Sequence, residues 1–162
     1  LELFGIEKLV KRITLDDLSQ GELDVIESGC LHISPQCKDM SGRTLGVSIQ
    51  ELFEFEDYMH QIRVLWYLSM TTVAEDEDTQ LNGLVLVRFS VGVSNFDHHH
   101  IAYLRKSKLL TLALPCKVRG YHFCYDNERL RPIMAAIQLF LGRQRRVRFR
   151  AHFGSHVECA YS

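Results

Sequence analysis

Between residues 115 and 154 the spacing of apolar positions changes twice, from a period of two to a helical period and back. Val118 to Tyr125 is rich in β-branched and aromatic residues, follows Pro115 and precedes the polar Asp126-Asn127-Glu128. That pattern reads as a strand running into a turn. From Arg129 to Leu141, the residues Leu130, Ile133, Met134, Ile137, Phe140 and Leu141 recur at the spacing of one α-helical face. Pro132 suits the first turn of that helix and Gly142 its end. Val147 to Phe153 then alternates Val, Phe, Ala and Phe against Arg148, Arg150 and His152. A parallel β-α-β unit is the natural closure. The helix is apolar on its other side too, where Ala135, Ala136 and Leu139 leave only Arg131 and Gln138 as polar interruptions. Two readings are open at this point. The helix is enclosed on all sides, or it is a cover whose inner face closes a cavity and whose outer face meets a membrane.

Upstream, Leu1, Phe4, Leu9 and Val10 stand near helical spacing, and Thr14 with Asp17 forms a capping-box pair for a second helix through about Ile26, weakened by Gly21. After Ser28-Gly29, residues Cys30 to Ser34 and Thr44 to Ile49 read as short strands joined through an Asp39-Met-Ser-Gly42 turn, an antiparallel edge. Phe53 to about Ala74 is a helix with Phe55, Tyr58, Met59, Ile62, Leu65 and Trp66 on one face and Glu54, Asp57, Gln61 and Arg63 away from it. Glu75 to Asp78 reads as a solvated helix end, although four acids there oppose the helix dipole. Leu84 to Phe89 is apolar apart from Arg88, as in a parallel strand covered on both faces. The segment opened by His98 to His100 is expected to bury Ile101, Leu104, Leu109 and Leu112 before Pro115 stops it.

The elements predict an α/β protein with a mixed, mostly parallel sheet of about five strands flanked by helices. A chain of 162 residues accommodates one domain with a sizeable core. No apolar run is long enough to span a bilayer, no signal sequence opens the chain, and Leu1 in place of an initiator Met leads to the expectation of a piece of a longer protein. The net charge of −1 hides an asymmetry. Residues 1 to 100 hold 7 Lys and Arg against 17 Asp and Glu, and residues 101 to 162 hold 12 against 3. That split favours an anionic partner for the C-terminal part, or compensation between acidic helices and basic strands. Five cysteines without a C-x-x-C pair fit reduced thiols in the cytoplasm.

Lys117-Val-Arg-Gly-Tyr-His122, the helix with Ile137-Gln-Leu-Phe-Leu141, and the basic strand ending His152-Phe-Gly154 together resemble the lipid-binding CRAL-TRIO domain, in its tocopherol-transfer and retinaldehyde-binding branch. Asp39-Met-Ser-Gly-Arg43 is similar to that family's Asp-x-x-Gly-Arg turn, and Glu75 to Gly83 to the polar helix end before its central strand. The resemblance covers residues 28 to 154. It implies an N-terminal helical remnant over 1–28, a lipid-binding domain over 29–162 and a mobile lid helix over 129–141. By matching position it implies a ligand lining of Val87, Phe89, Phe123, Tyr125, Leu130, Ile133, Met134 and Ile137. It also implies contact of Arg143, Arg145 and Arg146 with a phosphoinositide or other anionic headgroup. Two positions depart from the family: Phe89 stands where an acidic residue is usual, and Tyr125 where asparagine is.

Enzyme signatures are lacking. There is no G-x-S-x-G, phosphate loop or G-x-G-x-x-G, and Cys116 and Cys124 have no base supplied by spacing. Three adjacent histidines cannot all face one ion on a helix, and Gly154 breaks the helix that would align His152 with His156. No metal or cofactor is expected. Nucleic acid is disfavoured because Phe149 points away from the face that holds Arg148 and Arg150. The expected function is therefore non-enzymatic, and the resemblance implies a hydrophobic lipid held, and transferred, under the 129–141 helix by a cytoplasmic protein that docks peripherally on anionic membranes. The alternative is a protein-interaction module that keeps the fold without an open cavity, with Phe89 and Tyr125 filling the space. Nothing in the sequence specifies the lipid or the oligomeric state.

Overall fold

The structure, a computed structural model, describes residues 13–52, 58–93, 106, 109–140 and 148–160. Ten principal elements follow in chain order: α1 (Gln20–Glu27), β1 (Leu31–Lys38), β2 (Thr44–Ile49), α2 (Tyr58–Glu75), α3 (Glu77–Asn82), β3 (Leu84–Ser90), β4 (Val118–Tyr125), α4 (Leu130–Phe140), β5 (Phe149–Phe153) and α5 (His156–Ala160). The strands form one sheet in sequential order, β1-β2-β3-β4-β5. β1 and β2 are antiparallel, and every later pair is parallel. The α/β class, the five strands and the antiparallel edge agree with the sequence pattern.

Local chemistry explains the boundaries. Two capping boxes lie at the start of the described residues where one was expected: Thr14 and Asp17 close a 3-10 turn over Leu15–Asp17, and Ser19 and Glu22 start α1. The interruption at Leu18 and Ser19 therefore separates two elements, and Gly21 lies inside the second. The β1–β2 turn is held by Asp39, whose carboxylate accepts the Ser41 and Arg43 amides and pairs with the Arg43 guanidinium, while Gly42 supplies φ 73°.

The acids at 75 to 78 are a correction. They do not crowd one helix C-terminus, because α2 stops at Glu75 and a new helix begins. Asp76 is the N-cap of α3, accepting the Thr79 amide, and Glu77 and Asp78 occupy the first turn, where negative charge is favourable. Lys38 at the end of β1 pairs with Asp76 and Asp78, at 3.5 and 2.6 Å. The acidic run thus ties the β1–β2 hairpin to the start of β3.

The register assigns every strand residue to a face. Ile33, Gly46, Leu86, Tyr121 and Phe149 are aligned across the sheet, and so are Ser48, Arg88, Phe123 and Ala151. This first face carries the core. α1 and α2 bring Val25, Ile62, Val64 and Leu65 onto Leu31, Ile33 and Leu84, joined by Leu110 and Leu114. α4 brings Leu130 and Met134 onto Phe123 and Tyr125. A run of parallel crossovers of one hand, each moving one strand along, places its helices on one face. Val25 shares this core, so the helix assigned to an N-terminal remnant packs with the main domain.

Two expected burial patterns are corrected, and one of the two open readings of α4 is closed. Leu109 and Leu112 are each 58 % exposed, and Leu110 and Leu114 are the buried pair, one and two positions further on. Gln61 is buried, because α2 is covered on a broader arc than its apolar stripe. α4 is not enclosed on all sides: Arg131, Pro132, Ile133 and Ala135 are exposed. The segment 1–12, the start of the expected helix at 53–57, His98 to His100, Leu141, Arg143, Arg145 and Arg146, and the side chain of Leu139 lie outside the described residues.

Candidate functional site

β4, α4 and β5 form the β-α-β unit anticipated from the pattern, and its interior is a packed apolar cluster. Phe123, Tyr125, Leu130 and Met134 are buried together, with Tyr121, Ile137, Phe149 and Ala151 against them. Tyr121 stacks on Phe149 with ring centroids 5.8 Å apart, and Tyr125 meets Phe153 edge-on at 5.5 Å. Asn127 turns the chain into α4: its backbone carbonyl accepts the Leu130 amide and its side-chain oxygen the Arg129 amide. Arg131 lies 3.9 Å over the Phe153 ring, fastening the outer edge of α4 to β5 through a cation–π contact.

Of the eight positions expected to line one ligand site, five come together here: Phe123, Tyr125, Leu130, Met134 and Ile137. Ile133 does not join them and is 39 % exposed. Leu130, Met134 and Ile137 define the inward stripe, and Ile133 falls at its margin. Val87 and Phe89 are separated from the five by the sheet itself. Phe89 is aligned with Cys124 and Val87 with His122, so both belong to the second face. They flank Val91, Cys124 and Cys159 there.

A small cavity of about 20 Å³ lies on the first face, with Leu31, Ile33, Leu65, Leu86, Arg88 and Tyr121 among its lining residues. A space of that size holds about one water molecule. Arg88, only 3 % exposed, was an unexplained break in an apolar strand and proves to be part of a buried polar group. Its Nε donates to Gln50 Oε1 at 3.3 Å, and Ser90 Oγ donates to the same oxygen. The 3-10 turn Gln50–Leu52 after β2 positions that amide. Sequence pattern could not have identified this group, because residues 50 and 88 meet only through strand pairing.

The second face carries other chemistry. His122 and His152 are hydrogen-bonded through Nδ1 and Nε2 at 2.9 Å. Burial comes first in holding both imidazoles below the usual histidine range; for His122 the neighbouring His152 adds to it, and for both the Arg150 charge does. His152 and His156 do not form the spaced metal pair, since the His156 ring lies against Phe89 at 5.7 Å. Among the described residues no group of three or more His, Cys, Asp or Glu is placed to hold a metal ion. Burial raises the Cys116 thiol, and it pushes the Cys124 thiol up to about 12, aided by the adjacent Cys159. Neither is an activated nucleophile.

Arg148 donates to the Val118 carbonyl at 3.2 Å and so has a structural contact at the sheet edge. Phe149 points to the first face and Arg150 to the second, as alternation required. Among the described residues no helix is long and apolar enough to cross a membrane. The chain matches no protein-family model and no curated protein sequence.

Proposed function

We propose that this chain is a CRAL-TRIO-like domain that binds one hydrophobic lipid between the sheet and α4, without catalysis, and docks on anionic membranes. The observation that carries the reading is the way α4 is seated. Leu130, Met134 and Ile137 rest on Phe123, Tyr125, Phe149 and Ala151, so lifting the helix uncovers an apolar floor matched to an apolar ligand. Burial of that surface contributes roughly 25 cal/mol per Å², less the losses of association. Phe123, Tyr125, Leu130, Met134 and Ile137 are the lining in this reading, while Val87 and Phe89 belong to another surface. Arg143, Arg145 and Arg146, which follow α4 in the sequence, supply the contact with anionic headgroups.

A second reading has its own support. Tyr125 fills the cluster, and a cavity among the described residues on the same sheet face takes only about one water. A protein-interaction module that keeps the fold and holds no lipid fits both facts. Native mass spectrometry of the protein after incubation with sterol, tocopherol, retinoid and phospholipid vesicles separates the two. One lipid retained per chain supports the first; a chain that stays empty across the panel rules it out in favour of the second.

A further inference from the structure

After β5 the chain reverses at Gly154 (φ 149°) and forms α5, which lies on the second face of the sheet. Ser155 caps the helix reciprocally with Glu158: the Ser155 amide and hydroxyl donate to Glu158 Oε2 at 2.8 and 2.9 Å, and the Glu158 amide donates to Ser155 Oγ. Five residues cannot sustain a helix in water alone, so α5 is held by what it touches. Val157 is 66 % exposed, and His156 and Glu158 are exposed as well. The inward residue is Cys159, buried against Cys124 and Val91 with Val87 and Phe89 around them. Its sulfur lies 3.7 and 3.5 Å from the His152 and Gly154 carbonyl oxygens, and the Cys124 side chain is buried in the same cluster. Two thiols, one from β4 and one from a small peripheral helix, are therefore packed in one buried cluster.

We propose that Cys124 and Cys159 form a dithiol site that low-molecular-weight disulfides convert to an intramolecular disulfide, fastening α5 to the sheet. The inference is independent of lipid binding. While α5 is docked, burial keeps the Cys124 thiol protonated and both sulfurs out of reach of a reagent. Local opening of α5, a helix of only five residues, exposes Cys159. Cys159 gives its proton to solvent and its sulfur attacks one sulfur of the small disulfide, releasing one small thiolate and leaving a mixed disulfide. While α5 is still open and water reaches Cys124, that thiol gives its proton to solvent and attacks the Cys159 sulfur, expelling the second small thiolate, and α5 closes over the new bond. Two protein thiols are oxidised, one small disulfide is reduced, and the two protons end on the two small thiols. The new bond closes a loop from 124 to 159 that contains all of α4 and β5.

The test is to incubate the folded protein over a range of oxidised-to-reduced glutathione ratios, trap remaining thiols by alkylation, and map cross-linked peptides by mass spectrometry. Exposed Cys37 reports whether the reagent is active. The expected result is a Cys124–Cys159 peptide lacking two hydrogens, slower amide exchange across α5 by several-fold, and a melting temperature raised by several degrees. Cys124→Ser should stop at a mixed disulfide on Cys159. A folded wild-type chain that acquires glutathione at Cys37 but never the 124–159 linkage overturns the proposal. So does a linkage that forms only in denaturant, because both show that opening of α5 does not deliver the pair.

Discussion

His122 on β4 and His152 on β5 share a hydrogen bond between ring nitrogens 2.9 Å apart, with the rings within 6° of parallel and their centroids 5.0 Å apart. The rings are near-parallel, and the N–H of one donates to the ring nitrogen of the other. The second face of the sheet holds this pair beside Arg150, where β4 meets the edge strand β5.

Stability should follow the protonation of this pair. Both folded-state values are lowered from 6.5, so the unfolded chain binds more protons in that window. Stability is full above 6.5 and falls as pH drops through 6.5 towards the lowered folded values. Chemical denaturation across that range should give a decreasing midpoint on acidification, and His152→Gln should flatten the dependence. An unchanged slope in the variant would show that other groups govern it.

α4 offers a pair of neighbouring substitutions with opposite expectations. Met134 is 2 % exposed and Ile133 39 %. Met134→Asp places a carboxylate in an apolar cluster and should cost several kcal/mol, enough to unfold a domain of ordinary stability. Ile133→Asp should leave the melting temperature nearly unchanged while reducing vesicle binding and lipid transfer, if the outer side of α4 meets the membrane. Equal destabilisation by the two would contradict the seating of the helix.

The basic run after α4 is testable from its charge alone. Replacing Arg143, Arg145 and Arg146 by Ala should weaken binding to anionic vesicles by up to about 1 kcal/mol per residue. The loss should shrink in salt, since screening acts within about 8 Å at physiological ionic strength. Vesicle sedimentation at low and high salt measures this, and salt-independent binding would exclude the electrostatic contact.

Gly83 joins α3 to β3 in a conformation closed to other residues. Its φ is 85°, and a Cβ there would stand 2.2 Å from the Lys117 carbonyl oxygen. Gly83→Ala should cost about 1–3 kcal/mol for the backbone conformation alone, and the overlap with the chain entering β4 adds to it. A melting temperature equal to wild type would mean that the close approach is misplaced.

The periodicity of the chain by itself determined the elements and their order. The expected strand boundaries Thr44–Ile49 and Val118–Tyr125 are those observed, and the helix expected from Arg129 begins at Leu130. Those features are local: a period of two or of 3.6 is written in neighbouring residues, and Pro115 or Gly29 marks where it stops. The faces were decided elsewhere. Alternation placed Arg88 and Phe89 on opposite sides of β3, but only the register of β3 on β4 sets Arg88 beside Phe123 and Phe89 beside Cys124. A shift of one residue would have exchanged them. The expected ligand lining divides across the sheet for that reason, and His122 meets His152 for the same reason. Cys124 and Cys159 touch because Gly154 turns α5 back onto the second face. Contacts between residues tens of positions apart depend on how whole strands pair, and no local spacing carries that information.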